Sequence, residues 1–199
     1  MLGNLKGLLF MVVGAAILWS LFGGGSSSSS IDLAKVLDRT QIALKGFQEN
    51  LNDNQVAELN DETLGKLPGL LQHVMNMEPH LHTAPIGVAV DKASTFQAFE
   101  DTNMDNVQDA GEGDLFKVEI DAEGKRLIAS IPGGRSTASG MATGLLTGML
   151  LGRLIGNQRS AGIKPGHFAG RSVQSKASYS RSRSSARSSA RSGGRFSGK

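Results

Sequence analysis

Residues 95–131 read T-F-Q-A-F-E-D-T-N-M-D-N-V-Q-D-A-G-E-G-D-L-F-K-V-E-I-D-A-E-G-K-R-L-I-A-S-I. In the middle of this stretch Phe116, Val118 and Ile120 alternate with Lys117 and Glu119. That is the two-residue period of a half-buried strand. The spacing predicts strands over Thr95–Glu100, Leu115–Ile120 and Lys125–Ile131, with a hairpin turn at Asp121–Gly124. Ile86–Val90, just upstream, is a fourth strand candidate. These elements set the expected class as α+β, with a three- or four-stranded antiparallel sheet in residues 80–135.

Between the first two of those three strands lies an acidic loop. Asp101, Asn103, Asp105, Asp109 and Glu112 occupy positions 1, 3, 5, 9 and 12 of a twelve-residue segment, 101–112. Val107 falls at position 7, where a backbone carbonyl suffices. This is the ligand spacing with which an EF-hand-type loop surrounds Ca²⁺. A curling loop turns alternate side chains inward, and a long carboxylate at position 12 closes the cage with both oxygens. Six acidic side chains and no basic one lie between Glu100 and Asp114. Their mutual repulsion is relieved by a divalent cation. So many protein oxygens suit Ca²⁺ better than the tight, water-rich shell of Mg²⁺. The loop joins two strands, which sets it apart from a helix-loop-helix calcium sensor.

Phe99 to Glu112, F-E-D-T-N-M-D-N-V-Q-D-A-G-E, resembles the start of the calcium-binding B-type repeats of SdrD-like bacterial surface adhesins. The resemblance implies Ca²⁺ on Asp101, Asn103, Asp105, Asp109 and Glu112. It covers about fifteen residues and does not extend to the adhesin sandwich fold. Asn106 stands where those repeats carry Gly, and Asn tolerates a left-handed backbone better than most residues.

Charge is segregated along the 199 residues. Residues 31–139 hold all 18 acidic side chains and 9 basic ones, whereas 140–199 hold 11 basic side chains and no acidic one. Opposite blocks imply different surroundings for the two parts. The absence of Cys excludes disulfides, thiolate metal sites and a thiol nucleophile.

Toward the N-terminus, 7–22 is an uncharged apolar run, GLLFMVVGAAILWSLF. With Leu5 added and Lys6 snorkelling, it reaches the roughly 17 residues needed to cross a bilayer. An uncleaved membrane anchor over 1–22 is favoured over a cleaved signal peptide, because no A-x-A site follows. Residues 23–30, GGGSSSSS, form a flexible linker.

Residues 31–79 are expected to be helical. Leu33, Val36, Leu37, Leu44, Phe47 and Leu51 recur at three- and four-residue steps over Ile31–Asn52. A second piece is expected at Asn54–Leu59, a short turn capped by Asp61, and a third helix started by Pro68 and ended by Pro79. His73, His80 and His82 lie near Glu78, yet no spacing there defines a metal site. Solvated loop histidines are the reading.

Gly140, Gly144, Gly148, Gly152 and Gly156 recur every four residues in GMATGLLTGMLLGRLIG. In lipid such a stripe lets helices approach closely. Residues 136–158 are therefore expected to form a glycine-zipper helix associated with the membrane. Its partner is another copy of the chain, the anchor helix, or another membrane protein. A glycine-rich segment outside lipid is the competing reading. Residues 159–199 are rich in Arg and Ser and are expected to be disordered. Their charge suits anionic lipid headgroups, and nucleic acid less well. The tail is similar in composition to YgiB-like bacterial envelope proteins, a similarity that implies no activity.

If both apolar runs span, positive-inside logic puts the termini in the cytoplasm and 23–139 outside the inner membrane. No G-x-S-x-G, P-loop or H-E-x-x-H is present, so no catalytic residue is assigned. The expectation is a non-enzymatic, membrane-anchored structural or interaction protein with a calcium-binding domain. The alternatives are an oligomeric pore built on the glycine helix and a membrane-tethered binder of nucleic acid or anionic lipid.

Overall fold

The computed structural model describes residues 31–56, 58–141 and 148–191. The apolar run 7–22 and the linker 23–30 lie outside them. Helix α1 (Leu33–Asp53) begins where Asp32 accepts a hydrogen bond from the Ala34 amide. Its apolar stripe, Leu33, Val36, Leu37, Leu44, Phe47 and Leu51, is buried. Each such side chain contributes about 1.5–3 kcal/mol relative to exposure. A short helix α2 (Asp61–Leu64) follows, capped by Asn60, one residue before the expected Asp61. No helix forms at Asn54–Val56, where Gln55 has a positive φ. Helix α3 (Leu67–Met75) opens on Pro68 and ends with Asn76 as its cap, three residues before Pro79.

Arg39 sits on the buried face of α1. Nη1 donates to the Met75 carbonyl and Nη2 to the Pro79 carbonyl, both at 2.6 Å. The guanidinium thereby ties α1 to the end of α3. Burial lowers its pKa to about 10, against a smaller opposing effect of Glu78.

Six strands form one sheet in sequence order: β1 (Ile86–Val90), β2 (Phe96–Glu100), β3 (Asp114–Asp121), β4 (Arg126–Ser130), β5 (Ser136–Gly140) and β6 (Gln174–Ser175). The first five pair antiparallel and β6 joins β5 in parallel. The sheet is therefore mixed and larger than the three or four antiparallel strands expected. Both added strands are short on apolar residues, so alternation does not mark them. One sheet face carries Phe96, Val118, Ala129 and, across the register, Phe116, Ile120 and Leu127. These join α1 and α3 in one core.

The second half of the chain departs further from expectation. Gly140 ends β5, and a helix α4 (Gly148–Ser160) starts at Gly148, whose φ of +65° is not helical. Gly144 lies outside the described residues. Leu150, Leu154 and Gln158 form the buried stripe of α4, while Gly152 and Gly156 are exposed on another face. A methyl group added at Gly140, Gly148, Gly152 or Gly156 would meet nothing within 4 Å. Among the described residues of this chain no helix packs on them, and with Gly140 in a strand the continuous zipper helix expected over 136–158 is corrected. The i, i+4, i+8 leucine stripe, not the glycine stripe, decides the packing.

Among the described residues no helix is long and apolar enough to cross a membrane. The second span that a two-span topology requires is absent from the described residues. The two-span topology loses its basis, and with it the inner-membrane localisation, the extracytoplasmic middle domain and the cytoplasmic termini.

The Arg/Ser-rich tail is also ordered in part. Residues 163–175 run along the sheet, and α5 (Lys176–Arg191) returns to the start of α1. The Tyr179 hydroxyl accepts from the Leu33 amide at 3.3 Å and donates to the Ile31 carbonyl at 3.4 Å. Lys176 pairs with Asp38. Burial of one aromatic ring and opposite charges on α1 order a segment whose own composition has no core pattern.

Candidate metal centre

The acidic loop leaves β2 at Glu100 and enters β3 at Asp114. Its base is fastened by the strand ladder: Glu100 N–H donates to the Gly113 carbonyl at 3.0 Å and Asp101 N–H to the Pro85 carbonyl at 2.9 Å. The pairing shifts register between Ala98 and Phe99, and such a bulge re-aims the side chains that follow. Phe99 is fully buried over Gly87. A Cβ at Gly87 would stand 2.4 Å from the Phe99 ring and 3.0 Å from Asp101 Cβ. Glycine in β1 therefore makes the space that seats both residues. A lone glycine within a strand is the sequence signal for such close approach.

Asp101 is fully buried, the one loop carboxylate that is. Its Oδ1 accepts from the Asp105 amide at 3.1 Å and its Oδ2 from the Asn106 amide at 3.2 Å. Asn103 Oδ1 accepts from the same Asp105 amide, and Asp105 Oδ1 accepts from the Val107 amide at 2.8 Å. The loop thus winds around its own acidic side chains. Glu112 closes it: Oε1 accepts from the Thr102 amide at 2.8 Å and Oε2 from the Asp109 amide at 3.0 Å. Positions 2 and 9 are so held to position 12. Asn103 Nδ2 donates to Asp105 Oδ2 at 3.0 Å and to Asp109 Oδ2 at 2.9 Å.

All five side chains singled out by the spacing are thus linked by hydrogen bonds within one short loop. Val107 turns its side chain to solvent, 60% exposed, and Met104 is 69% exposed. Asn106 has φ of +65°, the conformation for which Gly is usual, and Met104 has φ of +59°. The donor set is oxygen throughout, four carboxylates and an amide, which suits a hard cation. In this closed arrangement the carboxylates face amides instead of one another's oxygens. Among the described residues no three His, Cys, Asp or Glu converge tightly enough to hold a metal ion.

The histidines do not form a second centre. His82 Nε2 lies 2.8 Å from Glu100 Oε1 and is mostly buried, so the expectation of a solvated side chain is corrected there. His80 lies 2.8 Å from Glu78 at the surface. The two imidazoles of the H-x-H pair thus face different carboxylates.

Three polar groups elsewhere escaped the sequence reading. Glu119, nearly buried on the sheet face away from α1, meets Lys117 Nζ at 3.4 Å and Arg171 Nη1 at 2.5 Å. Arg171 lies in the segment expected to be disordered, so only three-dimensional placement reveals the cluster. Searched against family models, curated proteins and solved structures, the chain has no match.

Proposed function

We propose that the chain is a non-enzymatic structural or interaction module whose β2–β3 loop binds Ca²⁺. Asp101, Asn103, Asp105, Asp109 and Glu112 would hold the ion, with Val107 giving a backbone carbonyl. One observation carries the reading: the position-1 carboxylate is buried and fixed by two amides, while the position-12 carboxylate clamps both ends of the loop. A loop with its first and last ligands already placed loses less conformational entropy on binding. Rotating the Asn103 amide half a turn offers Oδ1 to the cluster where Nδ2 now donates. The ion would then replace that amide as the positive partner of Asp105 and Asp109, and its charge would offset the six acids of the segment.

The test is calorimetry and thermal denaturation of the full chain with and without Ca²⁺. The expected result is one-site binding, with stabilisation of about 2.7 kcal/mol at a hundredfold excess over Kd. Asp109→Ala should abolish both effects while leaving the calcium-free melting temperature nearly unchanged, because its side chain is exposed. Mg²⁺ should bind more weakly. No heat at millimolar calcium would overturn the reading.

A further inference from the structure

On the sheet face away from α1, a polar row crosses four strands. The register places Gln97 beside Lys117, Lys117 beside Ser130 and Ser130 beside Ser136. A cavity of about 330 Å³ opens over this row. Its walls are completed by Arg171, by Asp114 and by the turn at Pro132–Gly134.

Two observations give this cavity a chemical sense. First, Ser130 is 5% exposed, and its Oγ is buried with no hydrogen-bond partner. A buried hydroxyl ordinarily finds a partner, so an unpaired one lining a cavity marks a place for a polar ligand. Second, Lys117 and Arg171 both line the cavity and share one carboxylate, Glu119. With Asp114 on the wall the charges balance, so the unused donors and not a net charge define the site. Arg171 is held by Glu119 through Nη1, with its guanidinium 5.9 Å from the Phe168 ring centre. No other side-chain donor of Arg171 meets an acceptor among the described residues. A planar guanidinium with free N–H groups suits a carboxylate.

We infer that this cavity, lined by Lys117, Ser130 and Arg171, binds a small organic carboxylate. Asp114, on the same cavity, disfavours a dianion such as phosphate, whereas a single carboxylate takes the unused donors of Arg171 with less repulsion. The Ser130 hydroxyl donates to a carboxylate oxygen, and Lys117 and Arg171 supply the countercharge. The site lies on strands β2–β5 and the 163–175 segment, and it does not require the calcium reading.

The test is calorimetry on the full chain without calcium, with acetate and propionate as probes. Inorganic phosphate serves as the competing arm and chloride as an ionic-strength control. The expected result is saturable one-site binding of at least one carboxylate, weakened by added salt. Ser130→Ala removes a hydroxyl that bonds nothing in the free protein, so its melting temperature should hold or rise while carboxylate affinity falls about tenfold. A purely structural role for Ser130 would not separate these two readouts. Arg171→Gln should abolish binding; should it fail to fold, Ser130→Ala and Lys117→Gln decide the matter. Absence of saturable binding by either carboxylate would overturn the proposal. Unchanged affinity in Ser130→Ala, or saturation by phosphate alone, would do the same.

Discussion

The β2–β3 loop and the C-terminal strap, residues 158–183, are both polar segments held against the same sheet, but by opposite means. The loop is closed by bonds of short range. Asp101, Asn103, Asp105 and Glu112 accept from amides at most ten residues away. The strap is stitched down by isolated long-range contacts. Gln158 donates to the Ile120 carbonyl, the Gly166 amide to Glu123, and Arg171 to Glu119. Tyr179 and Lys176 then reach α1. Closing a loop of ten residues costs little chain entropy, and each bond helps the next. Tying down a strap whose partners lie 38 to 146 residues away adds order only after the domain has folded. The loop should therefore be set by its local sequence and the strap by the finished surface.

The sharpest way to break that contrast is at Gly87, which lies in neither region. Gly87→Ala places a methyl group against a fully buried Phe99 ring and beside Asp101. Overpacking of this kind costs about 1–3 kcal/mol. Chemical denaturation should show that loss, and calcium affinity should fall with it, because the buried first ligand moves. Hydrogen exchange in the strap should stay as it was at matched global stability. Loss of protection at Tyr179 with the loop unaffected would reverse the contrast.

A smaller effect is expected from the strap. Tyr179→Phe removes the hydroxyl that serves the Leu33 amide, the Ile31 carbonyl and Arg183 Nη1. The net loss should be about 1 kcal/mol, felt mainly as release of α5. Limited proteolysis within 176–191 should accelerate, and exchange at the Leu33 amide should rise. Calcium binding should not change. If the variant lowers calcium affinity, the strap and the loop are coupled and their separation here is wrong.

The same division explains what the sequence disclosed. Strands β1–β4 and the stripe of α1 carry strong apolar periods, so local pattern and burial agree. The five polar loop positions were legible from their spacing, and the structure joins them by hydrogen bonds within the loop. S-T-A-S-G, by contrast, has no apolar alternation; β5 exists because the Pro132–Arg135 turn folds it back on β4. A turn signal, P-G-G, is present there, but with no apolar alternation after it no strand was expected. The glycine repeat misled because four-residue spacing also holds for Leu150, Leu154 and Gln158, and only the neighbouring core decides which stripe turns inward. Lys117, Glu119 and Ser130 were visible as strand positions. Their meaning depends on Arg171, whose approach no local pattern encodes.

The finest test concerns the loop's own backbone. Asn106 holds φ of +65° at position 6. Asn reaches that region at some cost, whereas Gly reaches it freely, so the observed conformation already records a demand the loop makes. Asn106→Gly relieves that strain but loosens the unfolded chain, and these effects oppose each other. Without calcium the change in stability should therefore be small, within about 0.5 kcal/mol. On the proposed calcium reading the balance shifts, because an ion held only by the curled loop brings any relief of strain into the binding step. Affinity should rise about two- to fivefold, a gain of less than 1 kcal/mol. Calorimetry on the two proteins side by side would detect it. A variant that binds calcium less well would mean that the Asn106 side chain, and not its backbone alone, takes part in closing the loop.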